Sequence, residues 1–385
     1  MTVWAEVVGQ RPAVEVLQRA VTSSRGEGVG MTHAWLFTGP PGSGRSVAAR
    51  AFAAALLCEE VEPGCGQCQS CRTVLAGSHA DVTSLRTEGV VISRKQAMEL
   101  LPLAQRRPSV GRWRVIVVED ADRLNDSSGN AMLKAIEEPT ARTVWLLCAP
   151  STTDVLVTIR SRCRHVGLRT PPAQAVADLL VARDGIDPQM AVFAARAAQS
   201  HIGMARRLAT DEQARIRRRE VLQLPLKLHG VGEAVLHAAA LLDTAKAEAE
   251  AATTERDERE RDDLLRALGA DVQARTQPPY IRSQLKTLAD EQKRRATRFV
   301  RDMVDRSLTD LLSLYRDVLL VHADPGADLI NAELRDEVQR LARQVSPTDA
   351  VRCMAAIHEA RARIGANVAP LLALEAMSLQ LRPSA

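Results

Sequence analysis

Short apolar runs alternate with longer amphipathic ones through the first 170 residues. Ala34-Trp35-Leu36-Phe37 reads as a short buried strand, and Ser46 to Leu57 is Ala-rich with apolar residues at helical spacing. Trp113-Arg114-Val115-Ile116-Val117-Val118 is a second buried strand by composition. Asn125-Asp126-Ser127-Ser128 caps a helix running to Glu138, and Pro139 stops it. A third strand covers Val144-Trp145-Leu146-Leu147-Cys148, and a last short one lies near His165-Val166-Gly167-Leu168. Strands alternating with helices predict an α/β fold with a parallel sheet and helices on both faces.

Beyond residue 170 the strand pattern ceases. Thr170-Pro171-Pro172 reads as a linker, and residues 173–211 are Ala-rich with helical spacing, a small helical segment. From 212 the chain is helical again. Residues 243–262 are dominated by Ala, Glu, Asp and Arg, ending in Glu255-Arg256-Asp257-Glu258-Arg259-Glu260-Arg261-Asp262, a solvated helix or a flexible spacer. Gln277-Pro278-Pro279 breaks it. Lys286 to Arg301 is basic, which fits a solvated helix face better than a DNA contact. Residues 303–383 read as amphipathic helices, with Ile364 to Leu381 as one core helix. The expected divisions are therefore 1–170, 171–211 and 212–385, the last carrying a charged insertion over about 243–300.

Composition agrees with this division. A chain of 385 residues predicts two or three domains. Aromatics are 3% against 46% hydrophobic residues, so the cores must be built from Ala, Leu and Val, which favours helices. A net charge of +4 is compatible with nucleic acid nearby without establishing it. Met1 to Gln10 lacks a signal-peptide pattern, and no run of about 18 apolar residues occurs, so a soluble cytoplasmic protein is expected.

The chemistry begins between the first strand and its helix. Gly39-Pro40-Pro41-Gly42-Ser43-Gly44-Arg45-Ser46 follows the phosphate-binding pattern G-x-x-x-x-G-K-[ST] except that Arg45 replaces Lys. Gly39, Gly42 and Gly44 let backbone N–H groups curl around a phosphate at a helix N-terminus, and Ser46 has the hydroxyl for Mg²⁺. A planar guanidinium is no neutral replacement for a compact ammonium. The chain holds 45 Arg and 6 Lys, so codon bias is one explanation; lost or impaired hydrolysis is the favoured one. Glu119 and Asp120 end the second strand, where carboxylates normally hold Mg²⁺ and polarise water. The usual order is Asp then Glu, so this pair is inverted; a plain acidic strand end is the alternative. Nucleotide binding without hydrolysis stays open.

Cys58, Cys65, Cys68 and Cys71 form C-x6-C-x2-C-x2-C, while Cys148, Cys163 and Cys353 are scattered in apolar surroundings. Four thiolates so spaced can close a tetrahedral shell around a structural Zn²⁺ with no open position. Disulfides and a redox C-x-x-C are the disfavoured alternatives.

Together these residues resemble the bacterial clamp-loader branch of the AAA+ superfamily. Val7-Val8-Gly9-Gln10 is similar to that family's "VVGQ" box near the adenine. His33-Ala34-Trp35-Leu36-Phe37 with the loop resembles "HAYLF-x-GPPG-x-GK". Asn130-Ala131-Met132-Leu133-Lys134-Ala135-Ile136-Glu137-Glu138-Pro139 resembles "NALLKTLEEP", and Ser161-Arg162-Cys163 matches "SRC". The cysteine module after the first helix is a further hallmark. The resemblance implies that Arg162 is an arginine finger in a neighbouring subunit's ATP site; a surface Arg paired with a carboxylate is the alternative. It also implies a helical lid at 171–211 and a ring-forming collar at the C-terminus. The polar sensor after the third strand would fall at Ala149 or Pro150, neither of which carries a suitable side chain. In His201-Ile202-Gly203-Met204-Ala205-Arg206, Met204 stands where a phosphate-reading Arg belongs, with Arg206 or Arg207 as substitutes. The implied function is a non-motor loader subunit without its own ATPase or polymerase activity, within the DNA polymerase III holoenzyme. The alternative is an ATP-hydrolysing gamma/tau-type motor subunit. Implied partners are gamma/tau and delta subunits, the sliding clamp and primed DNA. Zn²⁺ is the expected cofactor, and ATP with Mg²⁺ is left open.

Overall fold

A computed structural model describes residues 2–26, 30–87, 91–228, 230–270 and 277–382. The first unit, Met1–Thr210, opens with a 3-10 turn at Val3–Glu6. It continues through α1 (Arg11–Arg25), β1 (Ala34–Thr38), α2 (Arg45–Leu57), α3 (Gln69–Leu75), β2 (Val82–Leu85) and α4 (Arg94–Ala104). Next come β3 (Arg114–Val118), α5 (Asp126–Glu137), β4 (Thr143–Ala149), α6 (Val157–Arg160) and β5 (Arg164–Gly167). Three helices close the unit, α7 (Ala173–Asp184), α8 (Pro188–Ala197) and α9 (Ile202–Thr210).

The strands form one parallel sheet in the order β2-β3-β4-β1-β5. Both faces are covered, so β1, β3 and β4 are buried along their whole length and read as continuous apolar runs. The two-residue period splits them between cores. Trp35, Phe37, Val115, Val117, Val144, Leu146 and Cys148 join the core shared with α1, α2 and α3. Leu36, Ile116, Val118, Trp145 and Leu147 join the one shared with α4 and α5. Phe52 on α2 meets Trp35 edge-on at 5.1 Å, a geometry favoured by the ring quadrupoles. Asn125 caps α5 by accepting the Ser128 N–H at 2.9 Å, as its sequence predicts.

The edge strand β2 and helix α4 were not expected. Val82-Thr83-Ser84-Leu85 is only half-buried and carries two hydroxyl residues, so it lacks the apolar signature of the other strands. What holds it is the residue before it. Asp81 is buried and accepts Ser109 N (2.6 Å), Ser109 Oγ (2.8 Å), Val110 N (2.7 Å) and Gly111 N (2.7 Å). Burial alone would raise this carboxyl, but those donors outweigh it and hold it at about 2.

The second unit, Asp211–Ala385, is helical. It contains α10 (Glu212–Gln223), α11 (Val231–Ala267), α12 (Pro279–Ala323), α13 (Arg335–Gln344), α14 (Pro347–Gly365) and α15 (Pro370–Gln380) around its own core. The charged stretch 243–262 lies within α11, and residues 271–276 of that insertion lie outside the described residues. Arg295 on α12 binds Asp257 (2.8 Å) and Glu260 (2.5 Å) across the pair. The run Ile364 to Leu381 is not one helix. α14 ends at Gly365, Asn367 is left-handed (φ 67°), and Pro370 opens α15, because Pro cannot continue a helix but suits its first turn. No described helix is long and apolar enough to cross a membrane.

Candidate functional site

The loop between β1 and α2 has the expected course. Gly42 and Gly44 are left-handed (φ 85° and 87°), and Gly44 caps α2. Gly39 N donates to Pro150 O at 3.1 Å, tying the loop to the end of β4. Its contents depart from a phosphate cradle. The Arg45 guanidinium turns back and donates to Gly39 O at 2.8 Å. His201, at the start of the α9 segment, lies against Gly42 so closely that a Cβ there would fall 2.7 Å from the His201 Cα and Cγ. Two non-glycine residues in left-handed conformation, Gln199 (φ 50°) and Ser200 (φ 65°), turn the chain into this contact. His201 Nδ1 then accepts the Met204 N–H at 3.3 Å.

The other residues expected at a nucleotide site are spread around the loop. Glu119 directly follows β3, with Oε1 3.9 Å from Arg50 Nη2 and 3.5 Å from Ser84 Oγ. Asp120 Oδ1 is 3.9 Å from Arg123 Nε. Asp122 is raised mainly by burial, with the Asp120 charge adding to it. Ser46 opens α2 and is half-buried. Ala149 is buried at the end of β4, and Pro150 contributes only its carbonyl. Arg206 Nε is engaged with Asp184 at 3.4 Å, inside the α7 to α9 segment.

Gln10 holds this region together, a role that its place in the "VVGQ" box did not reveal. It is 3% exposed. Its Nε2 donates to Ser43 O (3.2 Å) and Arg169 O (2.5 Å), and its Oε1 accepts Arg169 N (3.0 Å). One amide thus bridges the phosphate loop and the linker before α7. Gly9 is left-handed (φ 70°), and a Cβ there would lie 3.0 Å from Pro171 and Pro172.

The four cysteines converge after α2. Their sulfurs all lie within 4.8 Å of one another, with Cys65 to Cys71 at 4.0 Å and Cys58 to Cys68 at 3.9 Å. A Zn²⁺ shell with bonds of about 2.3 Å requires sulfurs about 3.8 Å apart, so the set fits such an ion. All four are free cysteines. Backbone N–H groups point at the sulfurs: Gln67 N and Cys68 N at Cys65 Sγ (both 3.3 Å), and Cys71 N at Cys68 Sγ (3.4 Å). Burial pushes the Cys71 thiol up; at Cys58 it is outweighed by the N–H groups of Cys65, Glu60 and Gly64, which bring that thiol down to about 7. The module is seated against the N-terminal turn, where Val3 N donates to Gly64 O at 2.9 Å.

Arg162 lies apart from both, between α6 and β5. Its Nη2 donates to Glu137 Oε1 at 3.1 Å and its Nη1 to Thr158 O at 2.8 Å. Both side chains of this ion pair are partly exposed, at 34% and 53%.

Residues 9–172 match the family model described as DNA polymerase III, delta subunit. The chain is 34% identical over 162 residues to DNA polymerase III subunit delta' of Pseudomonas aeruginosa, covering 41% of this chain and 49% of that one. It is 27% identical over 229 residues to subunit delta' of Bacillus subtilis, covering 59% and 67%. It is 33% identical over 183 residues to subunit gamma/tau of Mycobacterium tuberculosis, covering 46% and 30%. A gamma subunit-related protein of Thermotoga maritima aligns over 96% of this chain and 98% of its own, at 17% identity and a TM-score of 0.41. The chain thus spans about half the length of the first of these relatives. Over residues 9–172 the chain is thus similar to DNA polymerase III subunits, with both delta' and gamma/tau proteins among its relatives.

Proposed function

We propose that this chain is a non-motor subunit of the DNA polymerase III clamp loader. In this role it presents Arg162 to the ATP of a neighbouring gamma/tau-type subunit and helps open the sliding clamp for loading onto primed DNA in the cytoplasm. The observation that carries the reading is the state of the chain's own phosphate loop. Arg45 is folded onto Gly39 O and His201 is packed on Gly42, so both groups are engaged with the loop itself. The inverted Glu119-Asp120 pair and the side chains at Ala149 and Pro150 supply neither a well-placed base nor a γ-phosphate donor. These features speak against a motor subunit.

Arg162 has what a finger requires: a planar, permanently charged fork on a short, well-anchored turn. Glu137 serves as its resting partner. A partly exposed ion pair is worth about 1 kcal/mol or less, so a γ-phosphate can take the guanidinium from it. There the cation would stabilise charge that develops on the transferring phosphoryl group. The cysteine module would hold Zn²⁺ in a closed structural site, stapling α2 to α3. The test is a reconstituted loader. Arg162→Ala is expected to lower turnover at the neighbouring site by about 10³-fold or more, while the isolated wild-type chain shows none. Robust hydrolysis by the isolated chain, or unchanged loader turnover with Arg162→Ala, would overturn the proposal.

A further inference from the structure

Arg25 is the last residue of α1, far in sequence from the cysteines, yet its guanidinium is committed to their loop. Nη2 donates to Cys58 O at 2.6 Å, and Nη1 donates to Val61 O at 3.2 Å and also to Glu60 O. Three carbonyls from four consecutive residues are therefore gathered by one rigid fork. Cys58 both ends α2 and begins the ligand set, so these bonds fix the direction in which the chain leaves the helix. That direction decides whether the turn to Cys65 brings its sulfur back to the other three. The loop's one aliphatic side chain does not anchor it, for Val61 is 93% exposed. It also carries Glu59, Glu60 and Glu62 beside four sulfurs that must all be thiolates to bind a divalent ion. With Zn²⁺ bound, such a centre keeps a twofold negative charge, and a guanidinium on the adjoining carbonyls opposes it.

We propose that Arg25 is a positioning residue for the metal centre, holding the Cys58-to-Cys65 loop in the conformation that presents all four sulfurs at once. This rests on the reading of the cysteine module as a metal site. Groups that orient ligands from outside the coordination shell typically change metal affinity by about 10- to 100-fold, and that is the effect expected here.

The experiment uses the full chain. Zinc affinity is measured by competition with a chromogenic chelator, and the ligand field by the visible spectrum of the Co²⁺-loaded protein. Arg25→Ala is expected to weaken zinc binding about 10- to 100-fold and to shift the Co²⁺ bands, with Arg25→Gln in between. Should Arg25→Ala not fold, Arg25→Gln carries the same comparison. Arg335→Ala is the control, because Arg335 likewise holds two loop carbonyls, Pro325 O (3.0 Å) and Ala327 O (2.7 Å), but in the second unit. It is expected to leave zinc affinity unchanged. Wild-type affinity and spectrum in the Arg25 variants would overturn the positioning role. A wild-type chain that binds neither ion would instead overturn the metal site itself.

Discussion

Arg45 and His201 show how much one residue changes meaning with its neighbours. On sequence grounds Arg45 is one of several deviations in an Arg-rich chain; in the structure it is one of two groups that contact the same loop. Arg45→Lys alone is therefore expected to leave ATP binding no stronger, because the His201 contact persists. Arg45→Lys combined with His201→Ala is expected to bind measurably, as read by titration with a fluorescent ATP analogue and Mg²⁺. Tight binding by the single variant would confine the defect to Arg45. Asp81 is a second residue with a definite consequence. Its carboxyl is held at about 2, below its usual 3.8, so the folded state favours the charged form. The stability it contributes is fully present above about pH 4 and is lost as pH falls toward 2. Asp81→Asn is expected to cost about 2 kcal/mol at neutral pH and to flatten the acid limb of stability between pH 4 and 2, checked by urea melts across that range.

Elements with a single dominant signal were legible in the sequence, and those defined by long-range partners were not. β1, β3 and β4 are apolar throughout because both sheet faces are covered, and α5 announces its cap at Asn125. β2 is invisible because it is an edge strand whose position depends on Asp81 gripping residues 109–111. The division of Ile364 to Leu381 was missed because apolar content hid the turn at Asn367 and Pro370. In the site, the motif spacing identified the loop, the acids and the cysteines. It named Gln10 and His201 only as members of wider segments, and it gave no hint of Arg25 or of the contacts all three make with partners tens to more than a hundred residues away. A polar side chain that binds backbone carbonyls leaves no pattern in the sequence around it.

At the scale of the molecule, each unit has its own core, and only the first contains the cysteine module. Removal of a bound metal should therefore act on one unit. With a strong chelator, calorimetry is expected to show the transition of the first unit moving to lower temperature while that of the second stays in place. A shift of both would contradict this separation. The Gln10 bridge carries a consequence of another kind. Its hydrogen-bond partner Arg169 lies 159 residues downstream, and Gly42 meets His201 later still. A chain that emerges from the ribosome amino-terminus first makes Gln10 early and its anchor late. The earliest segment synthesised is thus among the last to lock, and the unit cannot close until nearly all of it has been translated.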